Sequence, residues 1–381
     1  MSEWEVKTLG QCISVSSGEG LPESKMKPGP FVVYGGNGSA GMHNQYMFEK
    51  EQLIIGRVGA QCGNVHITKA KSWITDNALI VTFLQNRNDM RFWYYILSNL
   101  NLRNNAFESA QPVITGGIIS KTKASIPPYD SQVKISSILT NTDSVIDKTQ
   151  AAIAKYQAIK QGMLHDLFTR GIDAQTGKLR PAYKDAPELY KESKLGMVPK
   201  EWVVETVGGL CTMKSGEGIT SKSIREIEDY PVYGGNGLRG FTSSFTHEGE
   251  YILIGRQGAL CGNITRVRGK FYASEHAVVV TVFDKNNVDW LSQKLDDMNL
   301  NQYSEASAQP GLSVNKILKL PISKPPFDEQ NRIADSLIAI DTKIQIEQNY
   351  LHKLQQLKAG LMSDLLSGKK KIKSIAKIEE N

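Results

Sequence analysis

The sequence predicts an α+β protein in which one mixed α/β domain, followed by one long helix, occurs twice as a pseudo-twofold internal repeat. Three observations predict it. A self-similarity runs along the chain from one half to the other, glycine-punctuated β-rich runs recur in each half, and two stretches carry the apolar spacing of a coiled coil.

The self-similarity has an offset of 198 to 199 residues. Trp4-Glu5-Val6 answers to Trp202-Val203-Val204, and Ser17-Gly18-Glu19-Gly20 to Ser215-Gly216-Glu217-Gly218. Tyr34-Gly35-Gly36-Asn37-Gly38 recurs unchanged as Tyr233-Gly234-Gly235-Asn236-Gly237. Residues 54–65 (IIGRVGAQCGNV) match 253–264 (LIGRQGALCGNI) at 8 of 12 positions. Ala110-Gln111-Pro112 and Ala308-Gln309-Pro310 also pair, as do Pro127-Pro128-Tyr129-Asp130 and Pro325-Pro326-Phe327-Asp328. Such a period is far longer than the roughly 20–50 residues of a solenoid repeat, so each half is a domain with an appendage.

The domains come first. Short β-rich runs at 31–34, 52–55, 64–67 and 78–83 are separated by glycines and followed by one helix-like stretch, 90–99. The second copy repeats the order, with 251–254 and 277–283 as its clearest strands. The appendages follow each Pro-Pro pair, where Gly and Pro become rare. Apolar or small residues recur at Ile135, Leu139, Thr142, Ile146, Thr149, Ile153, Tyr156, Lys160, Met163 and Leu167, in steps of four and three. The second seam is Ile333, Leu337, Ile340, Ile344, Glu347, Leu351, Leu354, Lys358, Leu361 and Leu365. Helices of roughly 36 residues would each be ~54 Å long. The alternative is an amphipathic helix packed only on its own domain. Asp130 and Asp328, after the rigid Pro-Pro pairs, suit a helix start.

The resulting boundaries are a first domain over 1–130, a helix over 131–170, a linker over 171–200, a second domain over 201–328, a helix over 329–367 and a basic tail over 368–381. The linker is polar and turn-rich, with Pro181, Pro187 and Pro199.

Composition narrows the function. A formal net charge of +6, from 45 basic and 39 acidic residues, is compatible with nucleic acid without requiring it. The longest apolar stretch, near 277–283, is too short to span a bilayer. The first residues show neither a cationic nor an apolar leader region, so the expected location is the cytoplasm, with no membrane association. Cys12, Cys62, Cys211 and Cys261 form no C-x-x-C pair and are expected as buried thiols. The six histidines show no ligand spacing, so no metal site is expected. Neither Gly-Gly-Asn-Gly nor Gly-Arg-x-Gly-Ala-x-Cys-Gly carries the lysine and following helix of a phosphate loop. An amine methyltransferase would show a polar residue before Pro-Pro-aromatic, yet Ile126 and Lys324 stand there. No catalytic residue is assigned.

With these residues assembled, the chain resembles the specificity subunits of Type I restriction-modification systems over essentially its full length. The resemblance rests on the order domain, helix, domain, helix, on residues 163–171 (MLHDLFTRG), on Leu179-Arg180-Pro181, and on residues 190–202 (YKESKLGMVPKEW). It implies two target-recognition domains, each reading one half of a split double-stranded DNA site. It implies two antiparallel coiled-coil helices that act as spacer and as dock for two modification (methyltransferase) subunits and, through them, restriction subunits. It also implies no cofactor on this chain: S-adenosylmethionine and ATP belong to the partners. No counterpart of 190–200 precedes Trp4 and no second linker follows Leu366, which leaves the order of the half-sites open.

Base contacts are expected from polar groups on the glycine-rich loops. In copy one these are Asn37, Arg57, Gln61, Asn64, Asp76, Asn77 and Gln111; in copy two, Asn236, Arg239, Arg256, Gln257, Asn263, Glu275, His276 and Gln309. The shared asparagines equally suit turn hydrogen bonds, and Arg57 and Arg256 suit phosphate, base or scaffold pairing alike. The helix seam is carried by Ile135, Leu139, Ile146, Ile153 and Leu167 against Ile333, Leu337, Ile344, Leu351 and Leu365. Similar loops imply similar half-sites, hence a near-palindromic target. Two other readings stand beside this one: the specificity subunit of a Type II-like restriction system, and a coiled-coil scaffold that binds proteins.

Overall fold

The computed structural model describes residues 4–106, 112–258, 260–304 and 311–368. Gln111, Gln309 and the basic tail beyond Gly368 lie outside the described residues.

In chain order the first half holds β1 (Glu5–Thr8), β2 (Ile13–Ser17), β3 (Phe31–Gly35), β4 (Gly38–His43), β5 (Leu53–Gly56), β6 (Val65–Ile67), β7 (Trp73–Ile74), β8 (Ala78–Phe83), α1 (Met90–Asn99), α2 (Gly116–Lys121), β9 (Lys123–Ile126) and the long α3 (Tyr129–Thr169). After the hairpin β10 (Tyr190–Ser193) and β11 (Gly196–Pro199) come β12 (Val203–Thr206), β13 (Cys211–Ser215), β14 (Tyr230–Gly234), β15 (Gly237–Thr242), β16 (His247–Gly255), β17 (Ile264–Ala273) and β18 (Ala277–Val282). Then follow α4 (Val288–Asp297), α5 (Val314–Leu318), β19 (Pro321–Lys324) and α6 (Phe327–Leu366).

Contacts divide the chain into two compact units, one taking residues up to Ala151 and resuming at Asn349, the other Ala152–Gln348. In the first, β2-β8-β5-β6 form one sheet and β4-β3-β7 another, while β1 pairs with β9. In the second, β13-β18-β16-β17-β14-β15 form one six-stranded sheet, and β12 pairs with β19. Apolar residues on β5, β8 and α1 (Leu53, Ile55, Val81, Phe92, Trp93) build the first core, and Ile252, Val280, Trp290 and Leu291 build the second.

Local chemistry is duplicated with the elements. Asp89 caps α1 by accepting the Phe92 N–H at 2.7 Å, and Asn287 caps α4 by accepting the Trp290 N–H at 2.8 Å. Just beyond each helix a left-handed asparagine, Asn101 (φ 44°) or Asn299 (φ 45°), turns the chain.

Within each unit the two long helices run antiparallel. In the first, Leu366 joins Ile135 and Leu139 in one cluster, and the Lys358 ammonium meets the Asp143 carboxylate at 2.6 Å. In the second, Leu164 and Leu167 pack with Ile333 and Leu337, and Lys160 meets Asp341 at 2.6 Å. Each seam lysine thus finds an aspartate at the repeat-equivalent place. Ile146, Ile153 and Ile344 are buried, whereas Leu351 and Leu365 are half-buried. Both helices begin at the aromatic residue, so Asp130 and Asp328 sit in the first turn. The helix starts are tied down instead by glutamines. Gln132 donates to Pro127 O at 3.0 Å and accepts from Asp89 N at 3.2 Å; Gln330 donates to Pro325 O and accepts from Asn287 N, both at 2.9 Å.

Residues 171–200, expected as a polar linker, are built into the second unit. Arg180, 4% exposed at its side chain, makes a two-pronged ion pair with Glu329, whose other bonds come from Trp202 Nε1 (3.1 Å) and Ile172 N (2.8 Å). Gly171 allows this closeness: its φ is 64°, and a Cβ there would press on Trp202, Arg180 and Glu329. All four cysteines are buried thiols, and burial pushes Cys211 up to about 12. Among the described residues no helix is long and apolar enough to cross a membrane, and no cluster could hold a metal ion.

Candidate nucleic-acid interface

In the first unit three glycine-rich loops converge. The turn between β3 and β4 presents Asn37, the loop after β5 carries Arg57, Gln61 and Asn64, and the turn before β8 carries Asp76 and Asn77. Their backbones are interlocked. Arg57 N donates to Asn77 O at 2.9 Å, and Arg57 O accepts from Ile114 N at 2.9 Å. Gly36 lies so close that a Cβ there would sit 2.9 Å from Asn77 O. The Arg57 loop also closes on itself, with Gly56 N to Asn64 O at 2.7 Å and Gly63 N to Gly56 O at 2.8 Å, over the buried Cys62.

The second unit repeats this frame. Arg256 N donates to His276 O at 3.0 Å, Arg256 O accepts from Leu312 N at 3.0 Å, and Gly262 N reaches Gly255 O at 2.8 Å. A Cβ on Gly235 would lie 3.0 Å from His276 O. Each unit therefore holds its loops by main-chain bonds, leaving their side chains free to differ.

Those side chains are turned outward. Asn37, Gln61, Asn64, Asp76 and Asn77 are exposed, as are Asn236, Arg239, Arg256, Gln257, Asn263 and His276; Arg57 and Glu275 are half-exposed. Arg57 Nη1 donates to Ser17 Oγ at 3.3 Å and Arg256 Nη1 to Ser215 Oγ at 3.0 Å. Among the described residues neither guanidinium has a carboxylate within ion-pair distance. Asn64 donates to Gln61 at 2.7 Å, while Glu275 accepts from Ile219 N and contacts His276 at 3.3 Å. Ser17 and Ser215 escaped the sequence reading. Their repeated Ser-Gly-Glu-Gly context was the available signal, but the arginine each meets lies about forty residues away in the chain.

Beside Asn37 a 670 Å³ cavity is lined by His66, Arg91, Tyr94, Tyr95, Asp143 and Lys148, among others. Burial lowers the His66 pKa, and burial raises the Tyr95 phenol, which donates to Asp143 at 2.8 Å. In the second unit the residues equivalent to Ile67, Glu51 and Arg91 are Arg266, Glu250 and Asp289, and Arg266 forms ion pairs with Glu250 (3.1 Å) and with Asp289. Each unit offers exposed amide, guanidinium and carboxylate groups on loops tied together by main-chain bonds.

The family model for the Type I restriction modification DNA specificity domain matches twice, over residues 1–157 and 199–356. The EcoprrI specificity subunit of Escherichia coli is 44% identical over 164 residues, which span 42% of this chain and 40% of that protein. The MjaVIII specificity subunit of Methanocaldococcus jannaschii is 22% identical over 373 residues, covering 87% of this chain and 82% of that one. In fold, the chain is similar to the crystal structure of a Type I restriction-modification S subunit from M. genitalium, with a TM-score of 0.73 at 18% identity, covering 98% and 97% of the two chains.

Proposed function

The chain belongs to the Type I restriction-modification DNA specificity family, and on that premise we propose that it reads a split duplex DNA target through its two loop clusters. Each cluster reads one arm. The long helices set the distance between arms as a coiled-coil spacer and dock two methyltransferase subunits, through which restriction subunits join. The chain itself is non-catalytic: S-adenosylmethionine and ATP act on the partners. It works in the cytoplasm, and its duplicated loops favour a target with two similar, inverted arms.

The observation that carries this reading is the repeated frame. Two guanidiniums, Arg57 and Arg256, stand at equivalent places on interlocked loops without a carboxylate partner among the described residues, each surrounded by exposed amides. Guanidiniums and amides are the groups that match base edges and phosphates. The test is binding of the purified chain, and of the chain with its modification subunit, to duplex DNA at graded salt. Binding should weaken steeply with salt, by a log–log slope of about −0.9 per phosphate contacted. Methyl transfer from labelled S-adenosylmethionine should need the modification subunit. Salt-independent binding, or methyl incorporation by the chain alone, would contradict the proposal.

A further inference from the structure

The two copies of the loop frame share their backbone bonds, so what distinguishes them is the side chains set upon it. A cleft of 370 Å³ in the second unit is lined by Gly235, Asn236, Arg239, Gln257, Leu260 and His276. The first two residues are common to both copies. The other four replace Ala40, Val58, Gln61 and Asn77 of the first copy. Four of the positions at which the loops differ are thus gathered at one concave place.

Arg239 is exposed, and its guanidinium has no hydrogen-bond or ion-pair partner among the described residues. Its stem is nonetheless held. A Cβ placed on Gly234 would lie 2.5 Å from Arg239 Cδ and 3.2 Å from Cγ, so the side chain rests directly on the glycine backbone. In the first copy a Cβ on Gly35 would meet only Ala40 Cβ at 3.6 Å and Thr75 Oγ1 at 3.5 Å, ordinary contacts. Gln257 lines the same cleft, is anchored by its main chain through a bridge to Gly311, and is exposed at its side chain. Leu260 is 47% exposed and forms an apolar wall, and His276 Nε2 lies 3.3 Å from the neighbouring Glu275 carboxylate.

We propose that this cleft determines the specificity of the arm read by the second unit, with the Arg239 guanidinium taking the O6/N7 edge of a guanine. The inference rests on the DNA-reading proposal above and adds a residue, a base and an asymmetry to it. An unpaired guanidinium on a supported stem can donate two parallel N–H groups, and guanine alone offers two adjacent acceptors in the major groove. Ala40 cannot make that contact, so the arm read by the first unit lacks this requirement.

The experiment uses the full chain with its modification subunit and reads methylation across a randomised duplex library. Arg239→Ala should relax one guanine position in one arm, lowering discrimination there by about 5- to 150-fold while every other letter stays. Arg239→Gln should move preference at that position toward adenine, the partner of a carboxamide. Gly234→Ala should weaken the same position by displacing the stem. The letters of the other arm serve as the internal control for folding, and Arg239→Gln carries the test if the alanine variant fails to fold. An unchanged motif overturns the inference, as does uniform weakening across all sequences with a shallower salt slope, the sign of a phosphate contact. If the wild-type complex methylates a split site and Arg239→Ala leaves it intact, only this inference falls. If the wild-type complex methylates no split site, the DNA-reading proposal falls and takes this one with it.

Discussion

Removing the Glu329 carboxylate is the sharpest perturbation available in the second unit. Its side chain is 3% exposed and accepts from three groups: the Arg180 guanidinium, the Trp202 indole at 3.1 Å and the Ile172 amide at 2.8 Å. Glu329→Ala leaves Arg180 charged and buried, with Arg170 O at 3.1 Å and the exposed Glu201 at 3.6 Å as its remaining partners. Breaking one side of a buried pair costs about 3–5 kcal/mol. The stranded indole and amide N–H groups belong to the same loss, since these terms are not additive. Against a typical total of about 5–15 kcal/mol, that is a large share of the stability of this unit. Urea unfolding followed by tryptophan fluorescence should show an early transition, because Trp202 and Trp290 both lie in this core. The double variant Arg180→Met, Glu329→Met should recover part of the loss, since no charge is then stranded. A loss below about 1 kcal/mol for Glu329→Ala, or a double variant as unstable as the sum of the singles, would refute the reasoning.

Three further outcomes follow. Gly171→Ala should destabilise the second unit by about 1–3 kcal/mol, because it strains a left-handed position and presses a methyl into the same network; unchanged urea curves would contradict this. Ile146→Asp, and likewise Ile344→Asp, should each cost several kcal/mol by burying an unpaired carboxylate, and circular dichroism melts should show it. The pH dependence has a definite sign. Burial lowers the folded pKa of His66 and of His247 below the ordinary 6.5. The unfolded chain therefore binds protons first, and stability present above 6.5 is lost as pH falls below it. Replacing His66 by Gln should flatten part of that slope in melts taken from pH 7.5 downward, and an unaltered slope would exclude His66 as a source.

How much of this was legible in the sequence depends on the range of the interaction. The run 78–83 is apolar and β-branched enough to declare β8, and the helix-like stretch 90–99 declares α1. Helix α2 was not legible: Gly116-Gly117-Ile118-Ile119 has poor helix propensity, and the Thr115 cap and burial of Ile119 stabilise it. The pairings of β1 with β9 and β12 with β19 join segments over a hundred residues apart, and no local pattern encodes their register. Residues 171–200 read as linker because Pro187 and Pro199 mimic one, whereas the burial of Arg180 depends on Glu329 far downstream. At the interface, repetition pointed to the loops. Only the structure brings Ser17 to Arg57, or gathers Arg239, Gln257, Leu260 and His276 around one cleft. The heptad spacing located both long helices, but a period does not say which helix faces which.

In the proposed function this chain, through two loop clusters, chooses where a partner methylates DNA. Methylation mapped across a host genome, with the modification subunit expressed alone and then with this chain, tests it most directly. The expected result is one split motif with two similar inverted arms, methylated only when the chain is present. Methylation at the same sites without the chain, or at an undivided motif, would contradict it.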